Sequence, residues 1–142
     1  MILYESISEH EYSRARHLLH RDSPARSWGL KFRPDGDKYL LPEYGVYVCL
    51  KALRNHTVEV TGCFRLGADG ERGAAHGVVG LCRTLGFSTV ELNCFAPVAA
   101  AWRRAGLVEY AVEPWDPVYA PIHWLPEYGT PSVVYMRKHF RR

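Results

Sequence analysis

The residues between Leu66 and Gly77 read Leu-Gly-Ala-Asp-Gly-Glu-Arg-Gly-Ala-Ala-His-Gly, a run of small residues around one arginine. They follow a segment rich in Val, Thr and Phe and precede apolar residues at helical spacing, so the run should leave a strand and open a helix. A junction of that kind binds anions, because the first N–H groups of a helix lack intrahelical acceptors and the positive end of its dipole lies at the same place. Gly73, Ala74, Ala75 and Gly77 would let a diphosphate approach the backbone where bulkier side chains would not. The Lys-Ser/Thr pair of a P-loop is missing, and so is a GxGxxG fingerprint. The preceding strand belongs to a hairpin rather than a βαβ unit, which also argues against a dinucleotide fold.

Other reactive residue types are less organised. Cys49, Cys63, Cys82 and Cys94 form no CxxC pair and lie in apolar runs, which reads as buried free thiols in a reducing compartment. No His–Asp or His–Asn constellation is legible around Cys94, so a structural thiol is expected there. His17 and His20 are three apart and His123 is remote, so no metal site is expected. The segment from Trp115 to Tyr128, with Tyr119 and Trp124, has the composition of a substrate-facing wall, of a satellite core over a sheet edge, or of a dimer contact. Glu113, Asp116 and Glu127 would favour a cationic amine beside it.

The elements that must position these residues are punctuated clearly in places. Met1 to Ile7 reads as a first strand. Ser8 with Glu11 forms a capping box, flanked by Ile7 and Tyr12 at the staple positions, so a helix starts at Ser8 with the stripe Tyr12, Ala15, Leu19 and ends at Ser23-Pro24. Ser23 to Gly45 reads as loop, with no element that can be placed. Tyr44 to Leu53 and Thr57 to Leu66 read as an antiparallel pair joined at Arg54-Asn55-His56. Val78, Leu81, Cys82 and Leu85 mark an amphipathic helix from Gly70 that Gly86 stops. Phe87 to Leu92 is a buried strand, Pro97 and Gly106 bracket a second helix, Leu107 to Val112 and Val133 to Met136 are further strands, and the proline-rich stretch from Pro114 to Pro131 is irregular. This order predicts a mixed α/β (α+β) central sheet flanked by helices.

Arg72-Gly73-Ala74-Ala75-His76-Gly77 resembles, with Ala75 for the central glycine, the Q/R-x-x-G-x-G/A acetyl-CoA motif of the GNAT superfamily of N-acetyltransferases. A strand carrying Glu91-Leu92-Asn93, followed by Trp102-Arg103-Arg104-Ala105-Gly106-Leu107, is similar to that superfamily's N…Y-x-x-x-G-F ending, with Trp102 where tyrosine is usual. The order of strands and helices from Met1 to Met136 also resembles theirs. The resemblance implies that acetyl-CoA lies where the strands ending at Leu66 and Asn93 splay, with its pantetheine on the backbone of Cys63, Phe64 and Leu66. It implies that Arg72 and the N–H groups of Gly73, Ala74, Ala75, His76 and Gly77 hold the pyrophosphate, with Arg103 or Arg104 near the adenosine-side phosphate. His76 either donates to a phosphate or points to solvent. Asn93 would orient the pantetheine or the substrate amide. An amine would attack the thioester directly. Glu59 is the candidate base, directly or through water, or else reads as a solvent-facing strand carboxylate. Indole being too weak an acid, the thiolate is protonated by Tyr110 or Tyr119, which otherwise read as packing residues, by water, or by no group.

Length and composition fit that implication. At 142 residues with 47% hydrophobic, 23% charged and 13% aromatic residues, the chain has globular composition and the size of one domain. No run approaches the roughly 18 to 20 apolar residues of a membrane helix, and the first residues do not read as a signal peptide, so a cytoplasmic protein is expected. Four of the 18 basic residues, Arg137, Lys138, Arg141 and Arg142, lie near the end, leaving 14 basic against 15 acidic residues elsewhere. A broad nucleic-acid-binding face is therefore disfavoured. The expected partners are an amine-bearing small molecule or protein acceptor, with a homodimer compatible with the composition. Two alternatives remain: a GNAT-like module that binds CoA or a protein without turnover, and a nucleic-acid-binding module using the aromatic loop and basic tail.

Overall fold

A computed structural model gives the fold and describes residues 2–23, 30, 34–66, 73–119, 126 and 129–141. Seven strands, β1 (Glu5–Ile7), β2 (Asp37–Leu41), β3 (Val46–Ala52), β4 (Thr57–Arg65), β5 (Thr89–Phe95), β6 (Val108–Glu113) and β7 (Val133–His139), form one sheet in the order β1-β2-β3-β4-β5-β7-β6. The α-helices among the described residues are α1 (Glu9–Asp22), α2 (Ala74–Thr84) and α3 (Ala99–Arg104). Every neighbouring pair is antiparallel except β4 with β5. The mixed sheet flanked by helices that the element order predicts is what the chain forms. No helix among the described residues is long and apolar enough to cross a membrane.

The helix starts have visible causes. Ser8 Oγ accepts the Glu11 N–H at 3.0 Å, and Tyr12, Ala15 and Leu19 form the buried stripe of α1. Residues 54–56 make the expected tight connection: Asn55 and His56 both take positive φ, 59° and 54°, and Leu53 N–H donates to the Thr57 carbonyl at 2.8 Å. Several expected boundaries move. The first strand is confined to Glu5–Ile7, and α2 begins at Ala74 rather than Gly70. The strand expected over 87–92 runs from Thr89 to Phe95, and β7 extends to His139, because each lengthens the other through the pairs Phe95↔Val133 to Thr89↔His139. Pro97 sits in a 3-10 turn, Ala96–Val98, that leads into α3. The loop-like stretch in which a helix or strand could not be placed contains β2. Its Lys38 points inward and donates to the carbonyls of Pro34 and Gly36, both at 2.8 Å, a satisfaction that hydrophobic alternation does not reveal.

Two cores lie on opposite sheet faces. On one, α2 and α3 bring Val78, Leu81, Cys82, Ala99 and Trp102 onto Val46, Val48, Leu50, Val58, Val60, Val90, Leu92, Val134 and Met136. On the other, Tyr12, Ala15 and Leu19 of α1 cover Cys49 and Phe64. Each fully buried large apolar side chain contributes about 1.5–3 kcal/mol. Strand β4 serves both faces because of a bulge: Leu50 pairs with Val60 and Cys49 with Gly62, so Thr61 is the extra residue. Val58 and Val60 face α2, whereas Gly62 and Phe64 face α1. A Cβ on Gly62 would collide with the Tyr12 hydroxyl, so glycine is what lets that ring close over the bulge.

Candidate acetyl-transfer site

The bulge also separates two strands. β4 and β5 pair only through Thr57↔Thr89, Val58↔Val90 and Glu59↔Glu91. Immediately beyond, the extra residue bends β4, with Thr61 Oγ1 donating to the carbonyl of Asp35 at 2.8 Å and to that of Cys49 at 3.3 Å. From Val60 to Arg65, β4 is laddered to β3 but not to β5, and β5 from Leu92 to Phe95 is laddered to β7 but not to β4. Backbone amides and carbonyls thus line a V-shaped gap in the sheet, and such groups take a partner wherever one is available. The gap opens at Glu59 and Glu91, earlier than the expected parting near Leu66 and Asn93.

The start of α2 follows the end of β4 in sequence and lies against Tyr44, just before β3. Gly73 is its N-cap, in a left-handed conformation (φ 93°) that explains the glycine, and no side chain among the described residues caps the helix. The first helical bond is donated by Gly77 to the Gly73 carbonyl at 3.0 Å. The N–H groups of Ala74, Ala75 and His76 therefore have no intrahelical acceptor, and no acidic residue occupies the first turn. Gly77 is a correction: its N–H is used within the helix, and the space its side chain would take holds the Tyr44 ring, 2.7 Å from an ideal Cβ. It serves packing of α2 on the sheet rather than approach of a diphosphate. The His76 side chain is exposed. Arg72 lies outside the described residues.

Of the remaining expected site residues, Glu59 lies at the apex of the gap, on the α1 face, beside Glu91. Its carboxylate has no hydrogen bond or ion pair among the described residues; Lys51, opposite it on β3, is engaged with Asp35 at 3.2 Å. Asn93 is exposed on the β5 wall of the gap. The Cys63 side chain turns toward α2, Phe64 is buried under α1, and Leu66 packs beside it, so these residues offer backbone rather than side chains to the gap. Arg103 is already paired with Glu109 at 3.3 Å. Tyr110 sits on the outermost strand, with β7 between it and β5, and its ring lies under Arg137, 3.9 Å from the guanidinium carbon. That places it as a support for Arg137 and not as a proton donor at the gap. Tyr119 ends a short turn, Pro117–Tyr119, and its side chain is outside the described part. Trp102 is core, 6% exposed.

Burial pushes the Cys94 thiol up to about 11, against the pull of Arg103, and the Cys63 thiol up to about 12, so both stay protonated and unreactive near neutrality. Among the described residues no three His, Cys, Asp or Glu side chains cluster as a metal ion would need. A depression of about 500 Å³ lined by Ala52, Leu53, Arg54, Thr57 and Glu91 lies on the hairpin side of the apex of the gap.

Sequence reasoning missed three neighbours of the gap. Tyr135 is the register partner of Asn93, Arg137 is the partner of Glu91 and binds it at 3.4 Å, and Phe95 meets Trp115 with ring centroids 6.3 Å apart. The alternation of β7, with Val134 and Met136 buried and Tyr135 and Arg137 on the other face, was the available signal.

Comparison of the sequence alone gives no match, either to a protein-family model or to a curated relative. Comparison of the fold gives many. An acetyltransferase from Bacillus subtilis, solved with CoA, matches at a TM-score of 0.67 and 14% identity, over 99% of this chain and 100% of that one. The ribosomal-protein-S18-alanine N-acetyltransferase of Escherichia coli matches at 0.64 and 11% identity, over 100% and 96%. A Chromobacterium violaceum protein assigned to the GNAT family matches at 0.61 and 11% identity, over 96% and 81%. The chain therefore shares the fold of these proteins over nearly its whole length, in the order of strands and helices that the sequence suggested.

Proposed function

We propose that the protein moves an acetyl group from acetyl-CoA to an amine, by direct attack in a ternary complex. The observation that carries this reading is the parting of β4 and β5 after three pairs, together with a helix N-terminus after β4 that no described side chain caps, in a fold shared with acetyltransferases, one of them solved with CoA. The β4 backbone from Val60 to Arg65 offers amides and carbonyls to a pantetheine chain, and the Ala74, Ala75 and His76 N–H groups, with Arg72, offer donors to a pyrophosphate. The co-substrate supplies an activated acetyl thioester.

Glu59 takes a proton from the acceptor ammonium, directly or through water, which frees the nitrogen lone pair. The nitrogen then bonds to the acetyl carbon, the carbon–sulfur bond breaks, and the amine loses its second proton to solvent. No phenol is needed at the departing sulfur, because a thiol is itself acidic, with a pKa of about 8.5. Trp102 thus remains a packing residue. Its burial where the superfamily usually has tyrosine also favours a second reading, a fold that binds CoA without turning it over.

Calorimetric titration with acetyl-CoA and with CoA, followed by thiol-release assays over mixed amines, separates the two. Micromolar binding with turnover upholds the proposal; binding without turnover selects the second reading; no binding to either ligand rejects both. With turnover in hand, Glu59→Gln should lower the rate roughly a hundredfold or more while acetyl-CoA affinity stays within about twofold.

A further inference from the structure

Four charged residues from four strands stand in one row across the sheet: Lys51 on β3, Glu59 on β4, Glu91 on β5 and Arg137 on β7. Each is the register partner of the next, so two carboxylates lie side by side with a cation outside each. The two ends of the row are settled differently. Arg137 binds its neighbour Glu91 at 3.4 Å, with the Tyr110 ring under its guanidinium. Lys51 turns away from its neighbour Glu59 and binds Asp35 at 3.2 Å, in the loop before β2. Glu59 is thus the carboxylate of this row without a hydrogen bond or ion pair among the described residues.

Asp35 competes well for Lys51 because the loop that carries it is fixed. Thr61 Oγ1 donates to the Asp35 carbonyl at 2.8 Å, and Cys49 Sγ to the same carbonyl at 3.4 Å. Lys38 Nζ donates to the carbonyls on either side, those of Pro34 and Gly36, at 2.8 Å each. Gly36 takes a φ of 133°, and the space a side chain would fill there holds the Leu50 carbonyl. A carboxylate on so restrained a backbone gives up little entropy when it takes a cation, and that entropy is what usually weakens an exposed pair.

We infer that Asp35 is a positioning residue: it withholds Lys51 from Glu59 and so leaves that carboxylate open to the acceptor ammonium. The inference rests on the acetyl-transfer reading for what Glu59 does, whereas the contest of two carboxylates for one lysine stands without it. Directly opposed residues of an antiparallel pair have Cβ atoms about 4.5–5.5 Å apart, within reach of a lysine for a glutamate. An ammonium there would take the place of the substrate's and would favour the ionised carboxylate, making it a poorer base. Arg137 meets the complementary need, since an unpaired Glu91 beside Glu59 would work against ionisation of both.

A double-mutant cycle on the free protein tests this. The Glu59 carboxyl carbon is followed by NMR through a pH titration in the wild-type chain, Asp35→Asn, Lys51→Gln and the double variant. Asp35→Asn keeps the backbone carbonyl that Thr61 and Cys49 use. Lys51→Gln should raise the Glu59 midpoint at least about twice as far in the Asp35→Asn background as in the wild-type chain, because there the lysine is released to Glu59. An equal or smaller rise overturns the inference, whatever becomes of acetyl transfer.

Once turnover is established, thiol-release kcat/KM for the fastest amine of the mixed screen reads the same contest in function. Asp35→Asn should lower it about threefold or more, while Lys51→Gln and the double variant stay within about twofold of wild type. A loss that Lys51→Gln does not repair would make Asp35 a support for its loop alone and overturn the positioning role. If acetyl-CoA fails to bind, the transfer reading falls, yet the titration still decides which carboxylate holds Lys51.

Discussion

The starts of α1 and α2 answer the same physical need in opposite ways. At α1, Ser8 caps the Glu11 N–H, and Glu9 and Glu11 place carboxylates against the positive end of the dipole. At α2, Gly73 supplies no side chain and the first turn holds no acid. α1 is closed on itself and contributes Tyr12, Ala15 and Leu19 to a core; α2 buries a stripe too, but among the described residues no side chain completes its N-terminus. The difference teaches that a helix end can be finished by its own sequence or kept available, and that the choice is readable in the first four residues.

Four substitutions would break or sharpen that contrast. Arg72→Ala should cost acetyl-CoA affinity about 1.5–3 kcal/mol, the scale of a charged hydrogen bond, with little change in melting temperature. Unchanged affinity in the calorimeter would leave the α2 N-terminus no more special than that of α1. Gly77→Ala should destabilise by roughly 1–3 kcal/mol through overpacking against Tyr44, less about 1 kcal/mol gained in helix propensity. Denaturant unfolding reads this, and adding Tyr44→Ala should recover part of the loss; a loss confined to ligand affinity would return Gly77 to the diphosphate role.

His76→Glu imitates the first turn of α1 on an exposed position. It should raise stability by about 0.3–1 kcal/mol and weaken acetyl-CoA by roughly tenfold, so thermal melts with and without ligand move in opposite directions. Ser8→Ala should lower stability by about 1 kcal/mol and leave acetyl-CoA titrations unaltered, since the capped end plays no part in binding. Any affinity change there would blur the contrast.

Much of the fold is legible wherever local chemistry decides structure. Ser8, the Asn55-His56 turn, Gly86 and Gly106 mark their boundaries because capping and positive φ are properties of one or two residues. β2 escapes notice because its inward Lys38 is satisfied by the Pro34 and Gly36 carbonyls, a tertiary fact. Half of the site is legible for the same reason as the caps: the small residues of the α2 N-terminus and Glu59 announce themselves. The bulge at Thr61, which makes the gap, does not, since it exists only relative to the register of β3. Tyr135 and Arg137 reach the site through pairing with β5 across some forty residues of sequence, and Gly77 owes its place to Tyr44, which no local pattern connects to it.

The position of β7 between β5 and β6 makes the assembly of the β5 wall a matter of timing. Rows that begin with Asn93 and Phe95 on β5 have no second member until the latest strand in chain order arrives, and β6 has no sheet to join before then. Pairings that span so much sequence close slowly. The half of the sheet from β1 to β4, by contrast, rests on antiparallel neighbours and a helix near them in sequence and can form early. A chain emerging in order would thus hold the β4 wall of the gap ready while the β5 wall still lacks β7, so the two walls are separated in folding time as well as across the sheet.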